Sequence, residues 1–389
     1  MKLAIHAGSV ITPQEEIPDC TVVTEDERLT AVGREIEAPG DARTVDARDK
    51  ICVPGFIDMH VHGAGGHDVM EGNVEAFEAV GRVLASHGAT SYFPTTVTSS
   101  VEKTTRALAE LSKFIRKMEQ MRPSDLQPQP IGIHMEGPFI NPRRKGVHPE
   151  EHIIPPQPAL FDAFQQAAGG TLRLITMAPE VDGAEEVVRR AFERGVRVGM
   201  GHTDATFQQA ERAVELGIRH VVHVFNAMRP FSHRDPGVIS ASLLDDRLST
   251  ELIADGVHVY GPVIRLLARC KGAARILLIT DGLAATGMPE GDYTLGEFEI
   301  TVKGDVACNR AGVLAGSVLT MDRAVRNMVK FAELPLKEVV RMATLNQALL
   351  MGLERKGRIA AGMDADLVLL TRQLEVAAVC TRGTFEEFS

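Results

Sequence analysis

The chain has no excess of basic residues: 42 Lys and Arg stand against 52 Asp and Glu, a net charge of -10. A phosphate backbone demands a basic patch, so this balance argues against a nucleic-acid surface, and short basic clusters such as residues 143–145 read as solvated loop or local anion contacts. No Cys-x-x-C pair occurs. The five cysteines (Cys20, Cys52, Cys270, Cys308 and Cys380) are odd in number and widely spaced. They read as reduced thiols rather than a disulfide framework or thiolate ligands. There is no run of about 18 apolar residues to span a bilayer, and the amino terminus lacks the apolar core and cleavage site of a secretory leader. A cytoplasmic protein without membrane or nucleic-acid partners is expected. A Walker A loop is also absent, and the glycines at 63–66 read as a tight turn rather than a phosphate cradle. No segment is of low complexity; the proline-containing stretches near 123–130 and 155–158 read as connecting loops.

What is present is apolar substance, 44% of 389 residues, enough for a large core. Two or three domains would be usual for this length, unless one is a barrel, which runs to roughly 250 residues. The first fifty-odd residues are short alternating or β-branched runs broken by turns. From about Pro54 the texture becomes apolar strands alternating with helical patterns. The spacing predicts helices over 74–88, ending at Gly88, over 101–120, capped by Ser100, and in two further segments that stop at Gly195 and Gly217. Between them lie GFIDMHVHG, SYFPTTVT, IGIHMEG, LRLITMAPE, VRVGMGH, HVVHVFN, STELIADGVHV and ILLITDG. These eight nearly continuous apolar runs predict a (β/α)8 barrel of parallel strands buried on both faces. After about Leu353 the β texture returns. The expected organisation is an α/β chain in which residues 54–352 form the barrel, while 1–53 and 353–389 pair into one small β-sandwich domain.

In such barrels, active sites are built at the carboxyl ends of the strands. His60, His62, Glu136, His202, His223 and Asp281 all fall there, on strands 1, 3, 5, 6 and 8. His60 and His62, two apart on a strand, point to one face and can reach one metal ion. Any one of the six could be an ordinary buried polar residue. Six at equivalent ends are a metal-site constellation. Glu136, His202 and His223 offer one carboxylate and two imidazoles and leave a position for water, as a catalytic zinc or iron site requires.

The paired histidines of strand 1, the histidines on strands 5 and 6 and the aspartate on strand 8 resemble the amidohydrolase superfamily of metal-dependent hydrolases. GRIAAGMDADLVLL (357–370) is similar to the carboxyl-terminal β segment of its members. More narrowly, HMEGPF, GHTDA, HVFNAM, HRDPG, ADGVHV, TDG and LAGSVLTM resemble the N-acetylglucosamine-6-phosphate deacetylase family in order and approximate spacing, over essentially the whole chain. Many superfamily members bridge two metals with a carboxylated lysine on strand 4. LRLITMAPE has no lysine, and in the deacetylase pattern Glu136 takes that place.

The resemblance implies deacetylation of a phosphorylated amino sugar, in amino-sugar catabolism, with one or two divalent ions per subunit: zinc or iron first, manganese or cobalt also suited. It makes Glu136, His202 and His223 ligands of one ion and His60 and His62, with Glu136 shared, ligands of a second. Asp281 becomes the proton carrier and His148 the donor to the acetyl oxygen. Asn226, Ala227, Arg234 and His258 become substrate contacts, in a homodimer whose Arg234 reaches the neighbouring active site. The galactosamine epimer differs at one stereocentre that no motif resolves. A non-catalytic scaffold, as among superfamily members that have lost their ligands, is disfavoured by all six polar residues being in place.

Overall fold

The structure, a computed structural model, describes residues 2–12, 14–120 and 126–388. Residues 123–125 of the first proline-containing loop lie outside them. Eight parallel strands follow one another around a barrel: Phe56–Val61, Ala89–Thr96, Ile133–Glu136, Leu172–Met177, Arg197–Met200, His220–Val221, Ser249–Ile253 and Ile276–Ile279. Backbone contacts close the ring from the eighth strand to the first. Asp281 N–H donates to His60 O at 2.8 Å, and His62 N–H to Gly282 O at 2.8 Å. The first, second and third strands are buried at every position, as expected for strands covered on both faces.

Each strand is followed by a helix, from Val74–Ser86 after the first to Met321–Ala332 after the eighth. Ser100 caps Val101–Gln120 as the sequence predicts, its hydroxyl accepting from Lys103 N–H at 3.2 Å. Gly88, Gly195 and Gly217 stand at the predicted helix ends with positive φ, a conformation that costs a residue without Cβ little. Among the described residues, no helix is long and apolar enough to cross a membrane.

Both chain ends contribute to a seven-stranded sheet. Lys2–Ile11, Glu16–Glu25, Arg28–Gly33 and Arg43–Pro54 join Leu367–Leu370, Val376–Thr381 and Thr384–Glu387. Leu29 N–H donates to Met363 O at 2.9 Å, and the sheet packs a core of its own that includes Leu3, Ile5, Val22, Leu29 and Leu367. One element was not expected from the sequence. Between the eighth strand and its helix, Gly291–Leu295, Phe298–Lys303 and Val306–Asn309 form a separate antiparallel sheet.

That last helix is anchored by Asp322, whose carboxylate accepts from Thr320 Oγ1 at 2.6 Å, His87 Nδ1 at 3.1 Å and Arg326 at 2.7 Å. Burial alone would raise its pKa, but these partners hold it at about 2, against an ordinary 3.8. The stabilisation is therefore complete above pH 3.8 and disappears as pH falls through about 2. Asp322→Asn is expected to cost about 2 kcal/mol at neutral pH. Denaturant unfolding of both proteins at pH 7 and in acid checks this: the gap should narrow toward pH 2, and a variant as stable as the parent at pH 7 would contradict it.

Candidate active site

At the carboxyl end of the barrel lies a cavity of about 390 Å³, lined by His62, Glu136, His148, His202, His223, Asn226, Ala227, His258 and Asp281 among others. His60 lies fully buried against its floor. The ends of the first, third, fifth, sixth, seventh and eighth strands and the loops after them deliver these groups, but strand geometry alone does not aim them. His202, His223 and Asp281 adopt φ of 47°, 29° and 52°, in the left-handed region that non-glycine residues rarely occupy. Each such residue costs about 1 kcal/mol or more and persists where the surroundings over-determine it.

The polar atoms converge. Glu136 Oε1 lies 3.0 Å from His223 Nε2, 3.2 Å from His202 Nε2 and 3.4 Å from His60 Nε2. Its Oε2 lies 3.3 Å from His62 Nε2 and 3.3 Å from His148 Nε2. Asp281 Oδ1 is 3.2 Å from His62 Nε2 and 3.6 Å from His60 Nε2. The structure thus brings together every residue that the sequence placed in the metal cluster. The donor atoms of His60, His62 and Asp281 form one group within 4.8 Å, and those of Glu136, His148 and His202 another.

Which nitrogen of each ring carries the proton follows from the partner on its other side. His62 Nδ1 faces Thr95 O at 3.0 Å and His202 Nδ1 faces Arg144 O at 2.9 Å. A carbonyl only accepts, so both Nδ1 atoms donate and both Nε2 atoms present lone pairs to the cluster. His60 Nδ1 donates to the Glu251 carboxylate at 3.1 Å, leaving its Nε2 lone pair 3.3 Å from that of His62. Lone pairs facing one another beside two carboxylates are repulsive unless a proton or a metal cation lies between them, and the two carboxylates favour either positive charge there. The donor set therefore fits divalent transition metal.

His148 is the opposite case. Its Nδ1 accepts the Thr98 N–H at 3.3 Å, so the neutral ring carries its proton on Nε2, toward the cavity. Although it falls within one group of potential ligands, it is built to donate.

His258 is arranged for charge. Burial would depress its pKa, but the Asp255 carboxylate, 2.6 Å from Nδ1, raises it above the ordinary value. Asn226 and Ala227 line the cavity, whereas Arg234 is exposed and outside its lining. Arg143 and Arg144, which the sequence reading gave as solvated loop or local anion contacts, do line it. Arg144 is committed to Asp204 at 2.7 Å. The reading missed Glu251 and His220, buried on strands seven and six and joined at 2.8 Å. An acid and a histidine inside otherwise apolar runs were the available signal. His134, on the same face as Glu136 but one layer deeper, donates from Nδ1 to Met59 O at 3.2 Å; burial lowers its pKa to about 3, and it is part of the barrel's filling.

A model of the Amidohydrolase family matches residues 51–385. The N-acetylglucosamine-6-phosphate deacetylase of Bacillus subtilis (strain 168) is 35% identical over 383 residues, covering 98% of this chain and 96% of the relative. An N-acetylgalactosamine-6-phosphate deacetylase of Escherichia coli O157:H7 is 36% identical over 347 residues, covering 89% and 90%. Among solved structures, a mutant N-acetyl-D-glucosamine-6-phosphate deacetylase from Mycobacterium smegmatis, in complex with N-acetyl-D-glucosamine-6-phosphate, matches with a TM-score of 0.92. It is 33% identical, with 99% of both chains covered. A metal-ligand constellation at the mouth of a (β/α)8 barrel, matched over this length, places the chain in the amidohydrolase family.

Proposed function

We propose that the protein hydrolyses the amide of N-acetyl-D-glucosamine 6-phosphate, giving D-glucosamine 6-phosphate and acetate. The observation that carries this reading is the convergence of the His60, His62 and His202 lone pairs on the Glu136 and Asp281 carboxylates at the floor of a cavity. A scaffold would have no reason to turn three imidazoles and two carboxylates onto one another at the floor of a cavity. Glu136, His202 and His223 would hold one ion, and His60 and His62, with Glu136 and Asp281, a second. When bound, such an ion takes the pKa of water from about 15.7 to about 7 and polarises a carbonyl. Zinc and iron suit these ligands, as do manganese and cobalt.

The chain's own groups supply the proton traffic. Asp281 takes the remaining proton of the attacking water at a carboxylate oxygen and returns it to the sugar nitrogen, so that the amine leaves neutral. His148 Nε2–H stands ready to donate to the acetyl oxygen as negative charge develops there. His258, whose charged form Asp255 favours, and the amide of Asn226, beside Ala227, supply contacts to the phosphate end. Arg234 is exposed and outside the cavity of its own chain, and its guanidinium fork would reach the phosphate from a second copy, in a homodimer.

The galactosamine epimer stays in view because the Escherichia coli O157:H7 relative is as similar as the Bacillus subtilis one. The test is acetate release by the purified protein from the two N-acetylhexosamine 6-phosphates and from unphosphorylated N-acetylglucosamine. Preferred turnover of the glucosamine compound is expected, and phosphate removal should raise KM. Turnover of the galactosamine compound alone would transfer the reading to that epimer; no acetate from either would overturn it.

A further inference from the structure

Glu251 is a buried carboxylate that belongs to neither ligand group. It sits in the middle of the seventh barrel strand at 0% exposure. A buried carboxylate must have its lone pairs satisfied, and the three hydrogen bonds that do so are specific. Oε1 accepts from His220 Nε2 at 2.8 Å, while Oε2 accepts from His60 Nδ1 at 3.1 Å and from the His223 backbone N–H at 3.2 Å. His60 belongs to one proposed ligand group and His223 to the other. One oxygen therefore touches both.

The other ligand rings are held differently. His62 and His202 donate to backbone carbonyls, which any sequence at those positions supplies. His60 alone among these three is oriented by a side-chain charge. His220 has no partner for Nδ1 among the described residues, and its resolved hydrogen bond is the one it gives to Glu251.

We infer that Glu251 is a positioning residue for the metal centre. It fixes the His60 tautomer, makes Nε2 a stronger donor, and tethers the His223 backbone in its left-handed turn. A carboxylate on the far nitrogen of a metal-binding imidazole raises ligand basicity, and loss of such a partner lowers metal affinity by about 10- to 100-fold. The inference rests on the reading that the His60 group holds an ion.

Two substitutions separate charge from shape. In Glu251→Gln the amide oxygen can keep both bonds at the Oε2 position, so the His223 tether survives; the charge on His60 is lost, and His220 must accept rather than donate. Glu251→Leu removes every acceptor. The experiment titrates metal-free wild-type protein, both variants and His62→Asn with zinc against a chromophoric chelator, and follows thermal unfolding of each metal-free form. Wild type is expected to take up two ions. Glu251→Gln should weaken, by about 10-fold, the same ion that His62→Asn weakens, and Glu251→Leu should weaken it by about 100-fold. In Glu251→Gln the other ion should be unchanged, which a role in stability alone would not produce.

Wild-type affinities in both variants would overturn the inference, as would equal weakening of both ions in Glu251→Gln. If Glu251→Leu fails to fold, Glu251→Gln decides by itself. A wild-type protein that takes up a single ion refutes the two-ion reading and this inference together, while the deacetylase reading on Glu136, His202 and His223 is judged separately by acetate release.

Discussion

Stripping the purified protein of divalent metal with a chelator is expected to abolish acetate release, and adding back zinc, iron, manganese or cobalt to restore it. The size of the effect follows from what the protein can do unaided. Water with a pKa of about 15.7 is almost wholly protonated at neutral pH, and lowering that value to about 7 is worth on the order of 12 kcal/mol in forming hydroxide. No side chain of the cluster offers a substitute. A carboxylate such as Asp281, or an imidazole such as His202, can accept a proton from water but does not stabilise the hydroxide that forms as a divalent ion does. Metal content by elemental analysis and turnover on the same preparations check the prediction. Full activity in protein shown to be metal-free would end the reading of the cluster as a metal centre.

The barrel was legible because its strands are covered on both faces: with no solvent face, the alternation that marks other strands disappears, and eight plain apolar runs remain. The metal cluster was legible for a related reason. One histidine or acid at the end of such a run could be an ordinary buried residue, but six at equivalent ends are not, and the ring closure that puts Asp281 N–H on His60 O brings the eighth end beside the first. Glu251 was harder, since one acid inside STELIADG carries no spacing signal. Its role exists only because strands six and seven pair, with His220 opposite Ser249, and because His60 lies across the barrel.

The donor character of His148 was equally out of reach, as it depends on a backbone N–H fifty residues earlier in the chain. The sheet after strand eight had a signal that went unread. GDYTLGEFEITVKGD alternates and turns at Gly296 and Gly304, which the structure places at φ of 59° and 57°. The sixth strand is also shorter than its apolar run, only His220–Val221. The chain leaves the sheet there because His223, Phe225 and Ala227 all take positive φ, and that departure is what turns His223 onto Glu136.

Asp281→Asn is expected to lower turnover by about 100-fold or more, the lower end of what a general acid–base group contributes. The substitution suits the position, because Asp281 has φ of 52° and asparagine tolerates the left-handed region better than most residues. Size, shape and the backbone bond to His60 O are kept; the capacity to accept a proton is lost. KM should change much less, since the proposed phosphate contacts lie with Asn226, Arg234 and His258. Metal content must be measured on the same sample, because Asp281 Oδ1 lies 3.2 Å from His62 Nε2 and its loss could empty the second group. Lost turnover with full metal occupancy assigns the proton transfer to Asp281. Near-normal turnover with full occupancy removes it from the mechanism, and neutral His148 could not take its place, because with Thr98 N–H on its Nδ1 the ring already carries a proton on Nε2.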